Sequence, residues 1–219
     1  MIRPFIPEDL FKLNKDIDPV FDGEVVYIDN IFQNYDEIMN ILNNYPVQIW
    51  KHTPTSRNFK EYYDCRLLIN NFFPDKVKIS ERLNTILNII KYYFKIKGKY
   101  HTKEHFEFNV FKHIDNNYQN NFQMFPHIDE GSYNVLTYLD PYENGGTALY
   151  EKRKDINIEQ ENLFEDISNY KIKKIIESKP NRCVIFSGDQ PHGGYIEDHE
   201  VYRSNWRINM IQFIDKINE

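Results

Sequence analysis

The chain has 219 residues with 41% hydrophobic and 27% charged side chains, and carries a formal net charge of −6. That size supports one domain with its own core, and the acidic balance argues against non-specific nucleic-acid binding, which needs a basic face. No apolar run approaches the ~18 residues of a membrane span, and the opening MIRPFIPEDLF lacks the apolar core of a secretory signal. Two cysteines, Cys65 and Cys183, lie far apart without a CxxC partner. They exclude a disulfide scaffold and a thiolate zinc site and fit a reducing, cytoplasmic setting. One alanine (Ala148) and eight arginines stand against many Asn, Ile and Lys. This reads as coding bias, so Asn-rich stretches carry little functional information.

In chain order, Glu24 to Ile28 is a short strand. Asn34 caps a helix whose first turn holds Asp36 and Glu37, where the helix dipole favours acids. Ser80 is the predicted cap of a second helix, with Leu83, Ile86, Leu87 and Ile90 at helical spacing. The stretch from Trp50 to Asp64 has no assignable pattern. From residue 105 the pattern changes to period two and short apolar runs: Phe106/Phe108/Val110, Tyr133 to Leu139, Thr147 to Tyr150, Cys183 to Ser187, and Arg207 to Phe213. Six of the eight glycines fall between residues 131 and 194, marking tight turns there. Many short strands with Gly/Pro turns predict a β-sandwich or barrel. Residues 151–179 break the rhythm with high charge and a helix-like patch from Tyr170 to Ile176, and read as an insertion or lid.

Chemistry concentrates in two places. His127-Ile128-Asp129 precedes a strand, and in extended backbone residues i and i+2 share a face. His192 follows well downstream, after the apolar run Cys183 to Ser187. Two His and one carboxylate form the triad that holds non-haem Fe(II) with positions left open. Alone, His-x-Asp is a weak signal, and His113-Ile114-Asp115 is a second copy of it. The surroundings distinguish the first: Tyr138-Leu139-Asp140 closes the next strand, Gly145-Gly146 turns the chain into Thr147 to Tyr150, an apolar strand leads to His192, and Arg207-Ile208-Asn209 opens the last strand.

This order, over about Phe106 to Phe213, resembles the Fe(II)/2-oxoglutarate-dependent dioxygenases, and among them the prolyl-4-hydroxylase-like branch. Residues 25–38 (VVYIDNIFQNYDEI) resemble the opening of many members more weakly. The resemblance implies a mainly β fold with flanking helices, built on a double-stranded β-helix (jelly-roll, cupin-like) core. It implies one domain over 1–219, with a mixed α/β support region at 1–104 and a catalytic core at 105–219 that carries the insertion 151–179. His127, Asp129 and His192 are the implied metal ligands. 2-Oxoglutarate is the implied co-substrate, O2 the oxidant and ascorbate an auxiliary reductant. The distal carboxylate of 2-oxoglutarate calls for a planar basic fork. Arg207 is the preferred anchor, and a longer gap from His192 than is usual in the family keeps Arg203 as a second candidate. Tyr138 is a candidate hydroxyl donor to the same carboxylate, alongside its reading as a barrel-core tyrosine. The presence of Asp129 favours hydroxylation over halogenation.

The expected activity is hydroxylation of a peptidyl or small amino-acid-like substrate with release of succinate and CO2. Two further readings remain at this stage: a non-catalytic jelly-roll binding module, and a cupin-type metalloenzyme without a keto acid. Only the dioxygenase requires an arginine heading the last strand. The lysines at 91, 95, 97, 99 and 103, interleaved with Tyr92, Tyr93, Phe94 and Tyr100, read as a solvated helix C-terminus rather than a nucleic-acid surface. His101 and His105 lack the HExxH pattern. Trp50, Trp206 and Cys183 read as structural.

Overall fold

The computed structural model describes residues 11–44, 51–52, 62–68, 76–97, 100–113, 126–129, 132–153 and 167–216. Among them the chain order is β1 (Val20–Phe21), β2 (Val26–Ile28), α1 (Tyr35–Asn44), β3 (Lys51–His52), β4 (Tyr62–Leu68), α2 (Lys76–Tyr93), β5 (Tyr100–His113), β6 (Tyr133–Tyr138), β7 (Gly146–Lys152), β8 (Tyr170–Glu177), β9 (Arg182–Ser187), β10 (His192–Tyr195), α3 (Val201–Ser204) and β11 (Arg207–Lys216). No helix of the described residues is long and apolar enough to cross a membrane.

The strands form two antiparallel sheets. The larger runs β1-β2-β9-β6-β11-β5-β4-β3 and the smaller β10-β7-β8. Period-two alternation gives the larger sheet two different faces. On β6 and β11, Val135, Ile208, Met210 and Ile214 turn to one side. They bury there with Ile38, Met39 and Leu42 of α1 and Ile86 and Ile90 of α2. Leu136 and Tyr138 turn to the other side and pack with Val25, Val184 and Phe186 against Leu149 and Ile176 of the smaller sheet. The layers are therefore helices, large sheet, small sheet. Each fully buried aliphatic side chain contributes about 1.5–3 kcal/mol to holding them together.

The helices follow their sequence signals with one difference. Asn34 sits at the start of α1, its carbonyl accepting from the Ile38 amide and its side chain donating to Glu37. Helix α2 begins at Lys76, a turn ahead of the expected cap Ser80. Ile79 already continues the apolar spacing of Leu83, Ile86 and Ile90, and serine inside a helix costs little. At the other end of α2, Lys95 lies over the Tyr92 ring at 4.8 Å, in keeping with a solvated helix terminus.

The helix-like patch from Tyr170 to Ile176 is instead strand β8, so the stretch 151–179 begins and ends in the small sheet. Residues 154–166, the middle of the expected insertion, lie outside the described residues. The misleading period has a physical origin. As a sheet edge, β8 leaves Ile172 and Ile175 exposed and only Tyr170 and Ile176 buried, so no alternation survives. Its lysines are used as ties. Lys171 pairs with Glu151, while Lys173 pairs with Glu24 and Lys174 with Asp22, bridging the edge of the small sheet to the β1–β2 turn of the large one.

Two loops fix the sandwich. Gly145 and Gly146 adopt φ of +81° and +144°, and a Cβ on Gly146 would lie 1.9 Å from the Ile176 carbonyl oxygen. Only glycine allows β7 to start this close to β8. Asn181, left-handed at φ 61°, brackets the Phe32 backbone. Its Oδ1 accepts from the Phe32 amide at 3.0 Å and its Nδ2 donates to the Phe32 carbonyl at 2.8 Å.

Candidate active site

His127, ahead of β6, pairs with His192, the first residue of β10, as an isolated antiparallel bridge. Each amide donates to the other's carbonyl at 2.9 Å. Directly opposed residues in such a pair project to one side, so the two imidazoles lie with ring centroids 4.5 Å apart. Asp129, two residues on in extended chain, returns to the same face. One ligand atom from each of His127, Asp129 and His192 lies within 4.8 Å of the others. Asp129 Oδ2 is 3.0 Å from His192 Nε2, and Oδ1 is 3.9 Å from His127 Nε2.

The proton positions follow from the neighbours. The Gln190 carbonyl lies 2.9 Å from His192 Nδ1. A carbonyl only accepts, so Nδ1 carries the hydrogen. In the neutral ring, Nε2 then turns a bare lone pair toward a carboxylate oxygen at 3.0 Å. Two lone pairs at that distance repel unless a cation, a proton or a metal ion, is shared between them. Burial alone pushes the Asp129 carboxyl up, but the His192 hydrogen bond and charge, the His127 charge and the Asn134 amide outweigh it and hold it below the usual carboxylate range. The ring orientation is also braced from behind. Gln190 Nε2 donates to the carbonyls of Tyr150 and Pro191, and Phe186 meets the His192 ring edge-on at 5.0 Å. His127 and Asp129 are themselves partly exposed, so the site is open to solvent on their side.

A second polar cluster lies between the sheets. Arg207, the first residue of β11, is 3% exposed, and its Nη2 donates to the Gly146 carbonyl at 2.6 Å. The Asn209 amide oxygen, turned toward it, accepts from Nη1 at 3.1 Å. Tyr138, the last residue of β6, donates its hydroxyl to Thr147 Oγ1 at 2.8 Å. Burial pushes its phenol up to about 12, so it stays a proton donor at neutral pH. Asp140 is buried beside Arg207 and accepts from the Tyr202 hydroxyl and the amides of Tyr142 and Ile208. Burial raises its carboxyl despite the Arg207 charge.

The structure thus brings His127, Asp129 and His192 together and places Tyr138 and Arg207 inside the sandwich. Arg203 falls in α3, a single helical turn where a loop is expected, and its side chain lies outside the described residues. Of the second copy of the motif, His113 ends β5, and Ile114 and Asp115 lie outside the described residues, as does Trp50. Trp206 packs partly buried against the helix-side core, and Cys183 is buried in β9. Sequence reasoning misses Asn134, Gln190 and the Asp140–Tyr202 pair. Asn134 and Thr137 are both buried polar positions of β6, so nothing in the strand's sequence singles out Asn134.

No family model matches the sequence, and no curated protein matches it. Solved structures do. A prolyl hydroxylase from Trichoplax adhaerens, in complex with a hypoxia inducible factor oxygen degradation domain peptide fragment, is similar at TM-score 0.51 and 13% identity, over 89% of this chain and 84% of that one. The non-heme alpha-ketoglutarate-dependent epimerase SnoN from nogalamycin biosynthesis is similar at TM-score 0.51 and 9% identity, over 88% of this chain and 76% of that one. The chain has the fold these oxygenases share, a double-stranded β-helix with helices on one face.

Proposed function

We propose that this protein is an Fe(II)- and 2-oxoglutarate-dependent dioxygenase that hydroxylates a peptidyl or small amino-acid-like substrate. The carrying observation is the reciprocal His127–His192 bridge, which aims two imidazoles and the Asp129 carboxylate at one point. Two nitrogens and one oxygen converging with one side open suit Fe(II) and leave room for further ligands. A buried guanidinium among hydroxyl and amide groups suits the distal carboxylate of 2-oxoglutarate.

When bound, the iron and 2-oxoglutarate supply the oxidising chemistry: O2 is consumed, 2-oxoglutarate gives succinate and CO2, and one oxygen atom enters a substrate C–H bond. The chain supplies the rest. His127, Asp129 and His192 hold the ion, and Gln190 keeps the His192 proton on Nδ1 so that Nε2 is free to ligate. Arg207 pairs with the co-substrate carboxylate, and the Tyr138 hydroxyl is available to it as a second donor. The apolar side chains between the sheets exclude water, which strengthens both sets of charged contacts. Residues 105–219 carry the site and 1–104 buttress it within one catalytic domain. The hydroxylase of like fold with a bound peptide supports a peptidyl substrate.

The test is succinate release from 2-oxoglutarate with Fe(II), ascorbate and O2 across a panel of peptides, amino acids and nucleosides. Turnover should need Fe(II), stop with a chelator and vanish in His127→Ala. Metal binding without any succinate replaces this reading with a cupin-type metalloenzyme, and failure to bind metal replaces it with a binding module.

A further inference from the structure

The buried end of β6 carries an amide where the strand's neighbours are apolar. Asn134 is 2% exposed and lies on the face of β6 that also presents Leu136 and Tyr138 to the interior cluster. Its Nδ2 is 3.0 Å from Asp129 Oδ2 and 3.4 Å from His192 Nε2. Its Oδ1 is buried with no hydrogen-bond partner. An amide buried with one end unused costs stability that an apolar side chain of the same shape does not. Both polar contacts of its side chain go to Asp129 and His192, and none serves the surrounding sheet.

We propose that Asn134 is a positioning residue that pre-sets the metal site, an inference that rests on the metal-binding reading above. In the metal-free protein the Asn134 Nδ2 donates to Asp129 Oδ2, which itself lies 3.0 Å from His192 Nε2, so one donor fixes the carboxylate against the imidazole. Both side chains are thereby held in rotamers that aim their ligand atoms at the same point before an ion arrives. When an ion binds at Nε2, the hydrogen bond to Asp129 Oδ2 remains. With that oxygen occupied, Oδ1 is the carboxylate atom left for the metal. Asp129 is thus kept to one ligating oxygen, and the position its second oxygen would fill stays available to co-substrate or O2. Partners of this kind, which orient a ligand without touching the ion, typically carry 10–100-fold in metal affinity.

The experiment compares wild type, Asn134→Leu and Asn134→Asp in anaerobic titrations with Co(II) alone, read by calorimetry and by the d–d absorption spectrum. Asn134→Leu keeps the branched shape at somewhat greater volume and removes the donor. It should weaken Co(II) binding by at least about tenfold and change the spectrum, because Asp129 is free to present both oxygens. Its metal-free melting temperature should equal or exceed that of wild type, since the orphaned amide oxygen is gone. Asn134→Asp, with acceptors only against Asp129, should bind the ion in a different geometry again. Wild-type spectrum and affinity in both variants overturn the inference. So does weakened binding that merely tracks a fallen metal-free melting temperature, which marks a folding role. A wild-type protein that binds no Co(II) fails the underlying metal reading instead, so the two failures are separable.

Discussion

Replacing Arg207 by alanine removes a cation that the fold holds rigidly. The residue opens β11, is 3% exposed, and has its guanidinium fixed by the Gly146 carbonyl at 2.6 Å. Little ordering entropy is left to spend when a carboxylate docks on it. A hydrogen bond to a charged group is worth about 1.5–3 kcal/mol net, so losing the fork should raise the KM for 2-oxoglutarate roughly 10- to 150-fold. Arg207→Lys keeps the charge without the planar fork and should fall between alanine and wild type. Arg203→Ala, in the α3 turn, should leave KM unchanged. Succinate formation against 2-oxoglutarate concentration reads all three, at a temperature where each variant is shown to be folded, because Asp140 loses a nearby positive charge in Arg207→Ala. Fe(II) affinity should be unaffected in every case. An unchanged KM in Arg207→Ala refutes the anchor, and a rise confined to Arg203→Ala moves it to α3.

Two stability predictions follow from the ties between layers. Asp22 is pushed up by burial, but Lys174, the amides of Val25 and Glu24 and the Tyr27 hydroxyl hold it down from the usual 3.8 to about 2. Its folded value lies below its unfolded one, so its contribution, about 1–2 kcal/mol after solvent screening, is complete above pH 4 and is lost as pH falls toward 2. Thermal melts across that window should fall more steeply for wild type than for Asp22→Asn, and parallel curves would contradict the assignment. Asn181→Ala leaves two buried Phe32 backbone groups unsatisfied and places alanine at φ 61°. It should cost about 3–5 kcal/mol in urea unfolding, with Asn181→Gly recovering only the backbone share. A loss below about 1 kcal/mol would show that the bracket is dispensable.

The convergence of His127, Asp129 and His192 was legible because it rests on a local rule, i and i+2 on one face, plus an ordered series of strands. The inward placement of Arg207 was legible for a similar reason: it heads a strand whose apolar alternation fixes which way it turns. The strand β8 was not. An edge strand with both Ile172 and Ile175 in solvent loses its period of two, and its 170/172/175/176 spacing imitates a helix. Only its pairing with β7, which the local sequence does not encode, decides the matter. Asn134 was hidden differently. In a chain rich in asparagine one more carries no signal, and its role exists only because β6 passes within hydrogen-bond reach of a histidine 58 residues away.

The position of β11 has a consequence for how the molecule is made. It lies between β6 and β5 in the middle of the large sheet, yet it is the latest of that sheet's strands along the chain. His113 ends β5 about 90 residues before Arg207 opens β11, an interval of roughly 5–20 s at ordinary rates of synthesis. During it, one side of a 14-residue strand offers unpaired amides and carbonyls to any neighbour. β6 waits equally for β9 and β11, its partners on either side. The nascent chain thus presents its longest bare edge while the segment that covers it does not yet exist. Exposure of that edge is a kinetic property of synthesis, which melting of the finished protein does not report.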